Sequence, residues 1–257
     1  MSKFVDQLKR LSQVATEPIG FLPRLPSLPK PKIQLLAVVA PENLDGVADF
    51  TAGADAVLVP VARQSPSVKR LAALAESLPG IPWGGWLTGG HAGVSELVKA
   101  GCDFIVFPAS STPLNIVGES EPGKILEVEA LLAEGLLRTV NDLPVDAVFI
   151  TDDLRKDDSL TWQHLMLFQR FSTLLTKPLI VPVPTNIGAD ETKALWEAGV
   201  DCVVVETEGM APDRLKELRK TIDSMTFSLP RRPKKIEPVL PQVRCEPDQV
   251  VEDEEEE

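Results

Sequence analysis

Short apolar runs recur along residues 32–226, and polar, helix-periodic stretches separate them. Four of the runs open alike. Ala52-Gly-Ala-Asp55-Ala-Val-Leu-Val59 returns as Ala100-Gly-Cys-Asp103-Phe-Ile-Val106, as Val145-Asp146-Ala-Val-Phe-Ile150 and as Ala198-Gly-Val-Asp201-Cys-Val-Val-Val205. Each reads as a helix stopped by Gly or Pro, a tight turn and a short buried strand. Between them lie Ile33–Ala40, Ile81–Leu87, Lys124–Glu129 and Pro178–Val183. Helical patterns such as Val68–Ala75 and Leu131–Leu137 stand between runs. The pattern predicts eight strands alternating with helices. Near-continuous apolar strands imply a parallel sheet covered by helices. Eight units in 195 residues, roughly 24 each, fit a single α/β (β/α)₈ barrel, the TIM barrel. A doubly wound sheet is the alternative, but the first strand is followed by Ala40-Pro41-Glu42-Asn43 rather than G-x-G-x-x-G. In a barrel the four repeated Asp residues precede strands 2, 4, 6 and 8, where they read as turn or strand-start residues without chemistry.

The flanks differ in kind. Residues 2–15 form an amphipathic pattern, with Val5, Leu8, Leu11 and Ala15 on one side. That side suits the underside of the domain, and also a membrane or a partner. Prolines 18, 23, 26, 29 and 31 then forbid helix and interior strand, so 1–31 reads as a helix with an extended connector. Residues 227–257 hold five prolines and end in Glu252-Asp-Glu-Glu-Glu-Glu257, which predicts a disordered acidic tail after a 32–226 barrel.

Composition narrows the function. With 44% hydrophobic and 25% charged residues, the chain of 257 residues is globular and neither collagen-like nor disulfide-stapled. No apolar run approaches the ~20 residues a membrane span needs, and the first ten residues lack a signal-peptide core. The net charge is −12, of which −8 belongs to residues 1–226, so nucleic acid and anionic lipid are repelled at long range. The cluster Arg231-Arg232-Pro-Lys234-Lys235 is the local exception and reads as a solvated tail. Cys102, Cys202 and Cys245 show no metal spacing, which suits a reducing cytoplasm. The expected partner is a small molecule, and a homo-oligomer is left open.

Barrel enzymes act at the C-terminal ends of their strands. The candidates there are Glu42, Arg63, Thr88 to His91, Ser110, Ser111, Glu129, Asp152, Asp153, Thr185, Asn186 and Glu206. Strand 5 is the most telling. In Lys124-Ile-Leu-Glu-Val-Glu129, Leu126 and Val128 suit the helices, which sends Ile125, Glu127 and Glu129 into the barrel. Carboxylates there are costly unless paired, so they predict a general acid/base, a cation ligand or a salt bridge. Glu129, Asp152 and Glu206 would make a carboxylate cluster for Mg²⁺ or Mn²⁺. Asp152 and Asp153 also suit a helix cap. His91, after Thr88-Gly-Gly90, reads as a base or ligand-binding group, and His164 as structural. Thr151 stands where a Schiff-base lysine would be needed at strand 6, and no Cys/His set supports a zinc or iron–sulfur centre.

The stretch Asn186–Val205 resembles the segment from strand 7 to strand 8 of aldolase-type, phosphate-binding TIM barrels, such as thiamine phosphate synthase and the tryptophan-pathway barrels. The resemblance implies a lyase or isomerase acting at the barrel mouth, with a phosphate cup on Gly-rich loops after strands 7 and 8. This chain has Pro182-Val-Pro184-Thr185-Asn186 and Glu206-Thr207-Glu208-Gly209 there. Two carboxylates beside a phosphate would cost about 1–4 kcal/mol per contact, so a phosphorylated substrate would need Arg63 or His91. Two readings stay open. In the first, Glu129, Asp152 and His91 catalyse, while Arg63, Thr185, Asn186 and Glu206 hold a small substrate. In the second, the barrel is a non-catalytic binding or scaffold protein, as the proline-lined rim (Pro41, Pro60, Pro108, Pro184) suggests.

Overall fold

The computed structural model describes residues 2–13, 32–40, 47, 51–61, 75–78, 80–88, 94–118, 122–151 and 159–227. Eight parallel strands close a barrel in chain order: β1 Gln34–Val38, β2 Ala56–Val61, β3 Trp83–Leu87, β4 Phe104–Pro108, β5 Gly123–Glu129, β6 Ala147–Thr151, β7 Leu179–Pro182 and β8 Cys202–Glu206. β8 returns to β1, pairing Leu36 with Val204 and Val38 with Glu206. The described helices are α1 Lys3–Gln13, α2 Val94–Lys99, α3 Glu134–Thr139, α4 Trp162–Leu174, α5 Ala189–Glu197 and α6 Pro212–Ser224.

The strands read as continuous apolar runs because both their faces are buried. One set of side chains, including Val57, Ile105, Val128, Val148 and Val203, packs under the helices. The alternate set, including Leu58, Phe104, Ile125, Phe149 and Val204, fills the lumen. Two glycines open β3 to its neighbours. A methyl at Gly84 would lie 2.3 Å from the Phe104 ring, and one at Gly85 would lie 2.8 Å from Leu97. Gly84 is therefore the space into which Phe104 fits.

The repeated Gly and Asp have separate physical causes. Gly53, Gly101 and Gly199 turn the chain into β2, β4 and β8 at φ 104°, 84° and 91°, a region costly for any residue with a side chain. Asp55 donates its N–H to the Leu35 carbonyl (2.8 Å), and its carboxylate accepts the Leu35 N–H (2.9 Å). Asp146 makes the same two bonds with Lys124, at 2.7 and 2.8 Å, and Asp201 with Leu179, at 2.9 and 2.8 Å. These carboxylates lock each even strand to the odd strand before it.

Asp103 departs from the pattern and explains α1. Its N–H donates to Trp83 O (2.9 Å), but its carboxylate accepts from the Ser2 hydroxyl (2.7 Å) and from the N–H groups of Lys3 (2.8 Å) and Phe4 (3.0 Å). An anion thus closes the N-terminus of α1, where free N–H donors and the helix dipole favour one. The helix lays Phe4, Val5 and Leu8 against the base of the lumen, with Phe4 4.7 Å from the Phe104 ring. Gly123 allows the approach, since a methyl there would meet Val5 at 2.5 Å. Lys9 adds an ion pair with Asp146 at 2.5 Å. The apolar side of the helix thus faces the barrel, leaving no comparable side for a membrane. Asp103→Ala is expected to cost about 1–3 kcal/mol in urea melts. It should also let the amides of residues 3–8 exchange well before global unfolding. Exchange of those amides at the native rate would count against this reading.

Candidate functional site

Neutral donors hold a carboxylate inside the C-terminal half of the barrel. On β5, Ile125 lies in the lumen while Leu126 and Val128 pack outward, so Glu127 and Glu129 point inward. Glu127 is half-buried. Its Oε2 accepts from Trp86 Nε1 at 2.6 Å, and its Oε1 accepts from Thr151 Oγ1 at 2.9 Å. Among the described residues no lysine or arginine bonds to this carboxylate. The donors come from different places in the ladder. Thr151 ends β6 next door, whereas Trp86 reaches across from β3, two strands away. Odd strands share side-chain layers in such a barrel, which is how Trp86 meets Glu127. The Trp86 ring is itself held edge-on to Phe149, with centroids 5.5 Å apart and planes at 88°. Hydrogen bonds to an ionised group are worth about 1.5–3 kcal/mol each, so the pair fixes both carboxylate oxygens.

The expectation of two buried acids needs correcting. Glu129 lies one inward position higher, opposite Thr151, and is exposed. Glu206 ends β8 and is also exposed, with β6 and β7 between it and Glu129. Among the described residues no three His, Cys, Asp or Glu side chains gather at metal-binding distance. Glu42, Arg63, Gly89 to His91, Asp152 and Asp153 lie outside the described residues. Ser110 and Ser111 are exposed in the turn after β4.

The loop after β7 uses its donors internally. Gly188 N–H donates to Glu191 Oε2 at 2.7 Å, and the Thr185 carbonyl accepts from Arg214 Nε at 3.2 Å. Thr185 is half-buried and Asn186 exposed. A phosphate cup on this loop would need bare N–H groups, and the chain's own carboxylate takes that of Gly188. Among the described residues the two thiols, Cys102 and Cys202, are buried. Burial pushes Cys102 up to about 12, and burial also raises Cys202 well above the usual thiol range. His164 serves α4: its ring Nδ1 accepts from Thr161 N–H at 3.0 Å as half of a capping box.

No family model matches the chain, and no curated protein matches its sequence. Solved structures do match. A mutant tryptophan synthase alpha-subunit from Pyrococcus furiosus shares 10% identity over 75% of this chain and 97% of its own, with a TM-score of 0.56. The tryptophan synthase α₂β₂ complex of the same organism matches at 11% identity, 75% and 97% coverage and a TM-score of 0.56. The likeness is one of fold. It agrees with the closed barrel and with the aldolase-type resemblance of the sequence. Among the described residues no helix is long and apolar enough to cross a membrane.

Trp86 and Thr151 were not singled out as site residues by the sequence. Inward parity on β3, counted as it was on β5, would have placed Trp86 at the strand end.

Proposed function

We propose that the chain is a lyase or isomerase of the aldolase-type barrel class, acting on a small molecule at the C-terminal mouth with carboxylate assistance. The observation that carries this reading is Glu127, a carboxylate kept in the lumen by Trp86 and Thr151. An unpaired charge is expensive in such a place, and a packed barrel has no structural need of one. Glu127 offers a fixed negative charge to a substrate that becomes more positive as it reacts. Glu129, above it and open to solvent, is the proton-transferring group. Asp152 and His91 are the further proposed acid/base groups. Arg63, Thr185, Asn186 and Glu206 hold the substrate. Glu129, Asp152 and Glu206 are the proposed ligands if Mg²⁺ or Mn²⁺ takes part. The fold shared with tryptophan synthase alpha-subunits supports the class, though fold alone does not set chemistry.

A second reading has its own observation. Pro60, Pro108 and Pro182 occupy inward positions near the strand ends, and Pro184 is buried just beyond β7. They narrow the mouth and offer no donor, which favours a non-catalytic binding barrel. Incubating the protein with a metabolite library, with Mg²⁺ and Mn²⁺ present, and following consumption by mass spectrometry separates the two. The enzyme reading expects at least one compound to be converted to an isomer or a cleavage product, and Glu129→Gln to slow that conversion about 10²–10⁴-fold. A compound that binds but is never converted would favour the second reading.

A further inference from the structure

Glu127 is held in place without a counter-charge. Its register neighbours are Pro108 on β4 and Phe149 on β6, and neither side chain brings it a donor. Its two oxygens take one bond each, from the Trp86 indole at 2.6 Å and from the Thr151 hydroxyl at 2.9 Å. A carboxylate has about four acceptor positions, so about two stay open. Charges taken out of water are normally paired, yet both of these donors are neutral. Glu127, Trp86 and Thr151 are each half-buried, so a molecule entering the mouth can reach them. Glu129 stands two residues on along the same face of β5, about 7 Å higher. The donors that would favour an anion are engaged elsewhere. Gly188 N–H donates to Glu191. The N–H and the hydroxyl of Thr207 both donate to the Val38 carbonyl, at 3.0 and 2.8 Å, and Arg214 turns to the Thr185 carbonyl and to Glu217.

We infer that the mouth takes a small organic cation bearing N–H donors, a primary ammonium or an amidinium, whose charge rests on Glu127 with Glu129 beside it. The inference rests on the mouth being the working site proposed above. It goes further, because the positive charge is present in the compound before any reaction. The surroundings favour an organic cation over a bare metal ion. A hard metal ion asks for about six oxygens, and Pro108, Phe149 and the Trp86 ring supply none. Aromatic faces attract organic cations instead. The N–H groups of the cation would fill the open acceptor positions as charge-assisted hydrogen bonds.

The test uses the full chain labelled with ¹⁵N-tryptophan, and follows the Trp86 indole N–H resonance, assigned with Trp86→Phe. The probes are propylamine and benzamidine, their neutral counterparts propanol and benzamide, inorganic phosphate, and Mg²⁺ alone, all at one ionic strength. Propylamine or benzamidine is expected to shift the resonance saturably, with its neutral counterpart bound about 10–100-fold more weakly. Glu127→Gln should weaken the cation by a similar factor and bring it level with the neutral compound, while the other three indole resonances stay in place. A resonance that neither cation moves overturns the inference. So does a response to phosphate, to the neutral compounds or to Mg²⁺ alone that equals or exceeds the response to the cations. The enzyme reading fails separately. A cation that binds in this way but is never converted leaves the inference standing and counts against catalysis. Conversion of a neutral or anionic compound that Glu127→Gln slows does the reverse.

Discussion

Phe104→Ala is expected to unfold about 3–5 kcal/mol more easily than the native chain in urea. The ring is fully buried, fills the space above Gly84 and carries the base of α1 through Phe4. Three parts of the barrel lose contact when it goes: β3, the lumen and the helix beneath it. The converse change has a different cause. Gly84→Ala adds one methyl where the ring stands at 2.3 Å, and overpacking of this kind costs about 1–3 kcal/mol. The two effects are coupled. In the Phe104→Ala background the added methyl finds open space, so Gly84→Ala should lose most of its cost. A double-mutant cycle measures that coupling directly. Additive costs would mean that Gly84 is present for a reason other than the ring.

Glu127→Gln is expected to lower turnover of any substrate found about 10²–10³-fold while the barrel stays folded. The amide keeps the size of the side chain and one acceptor oxygen. It loses the charge, and its nitrogen cannot accept from either the indole or the Thr151 hydroxyl. Its oxygen can still accept from the indole while its nitrogen donates to the Thr151 hydroxyl, reversing that bond, so stability should move by no more than about 1–3 kcal/mol. Trp86→Phe makes a useful contrast. It keeps a ring against Phe149 but removes the 2.6 Å donor, leaving the carboxylate charged and less firmly placed. Its effect on turnover should be smaller than that of Glu127→Gln. Equal losses would make position, rather than charge, the contribution of Glu127.

Much of the barrel was legible in the chain because its signals are local. The Ala-Gly-x-Asp starts repeat because three of the four helix-to-strand turns use a left-handed glycine, and the carboxylates of Asp55, Asp146 and Asp201 reach the preceding strand. The inward parity of Glu127 and Glu129 was legible too, because Leu126 and Val128 suit the helix side, where they pack. What the chain did not show depends on register. Trp86 meets Glu127 from two strands away, and no spacing along the sequence encodes that contact. Asp103 looked like its three repeats, yet it alone turns to the N-terminus of α1, a partner about a hundred residues distant. The lack of a lysine at Thr151 could be read, but not the hydrogen bond that the threonine makes instead.

The most direct test of the mouth as the working site is thermal melting of the native chain and of Glu127→Gln, each with and without a metabolite library containing Mg²⁺ and Mn²⁺. At least one ligand should raise the native melting temperature by several degrees, as ligand present at about a hundred times its Kd does, and the variant should not respond to it. The same ligand response in both proteins would place the site elsewhere. A variant that melts higher than the native chain, with no ligand response in either, would reduce Glu127 to a strained acid with no role in binding.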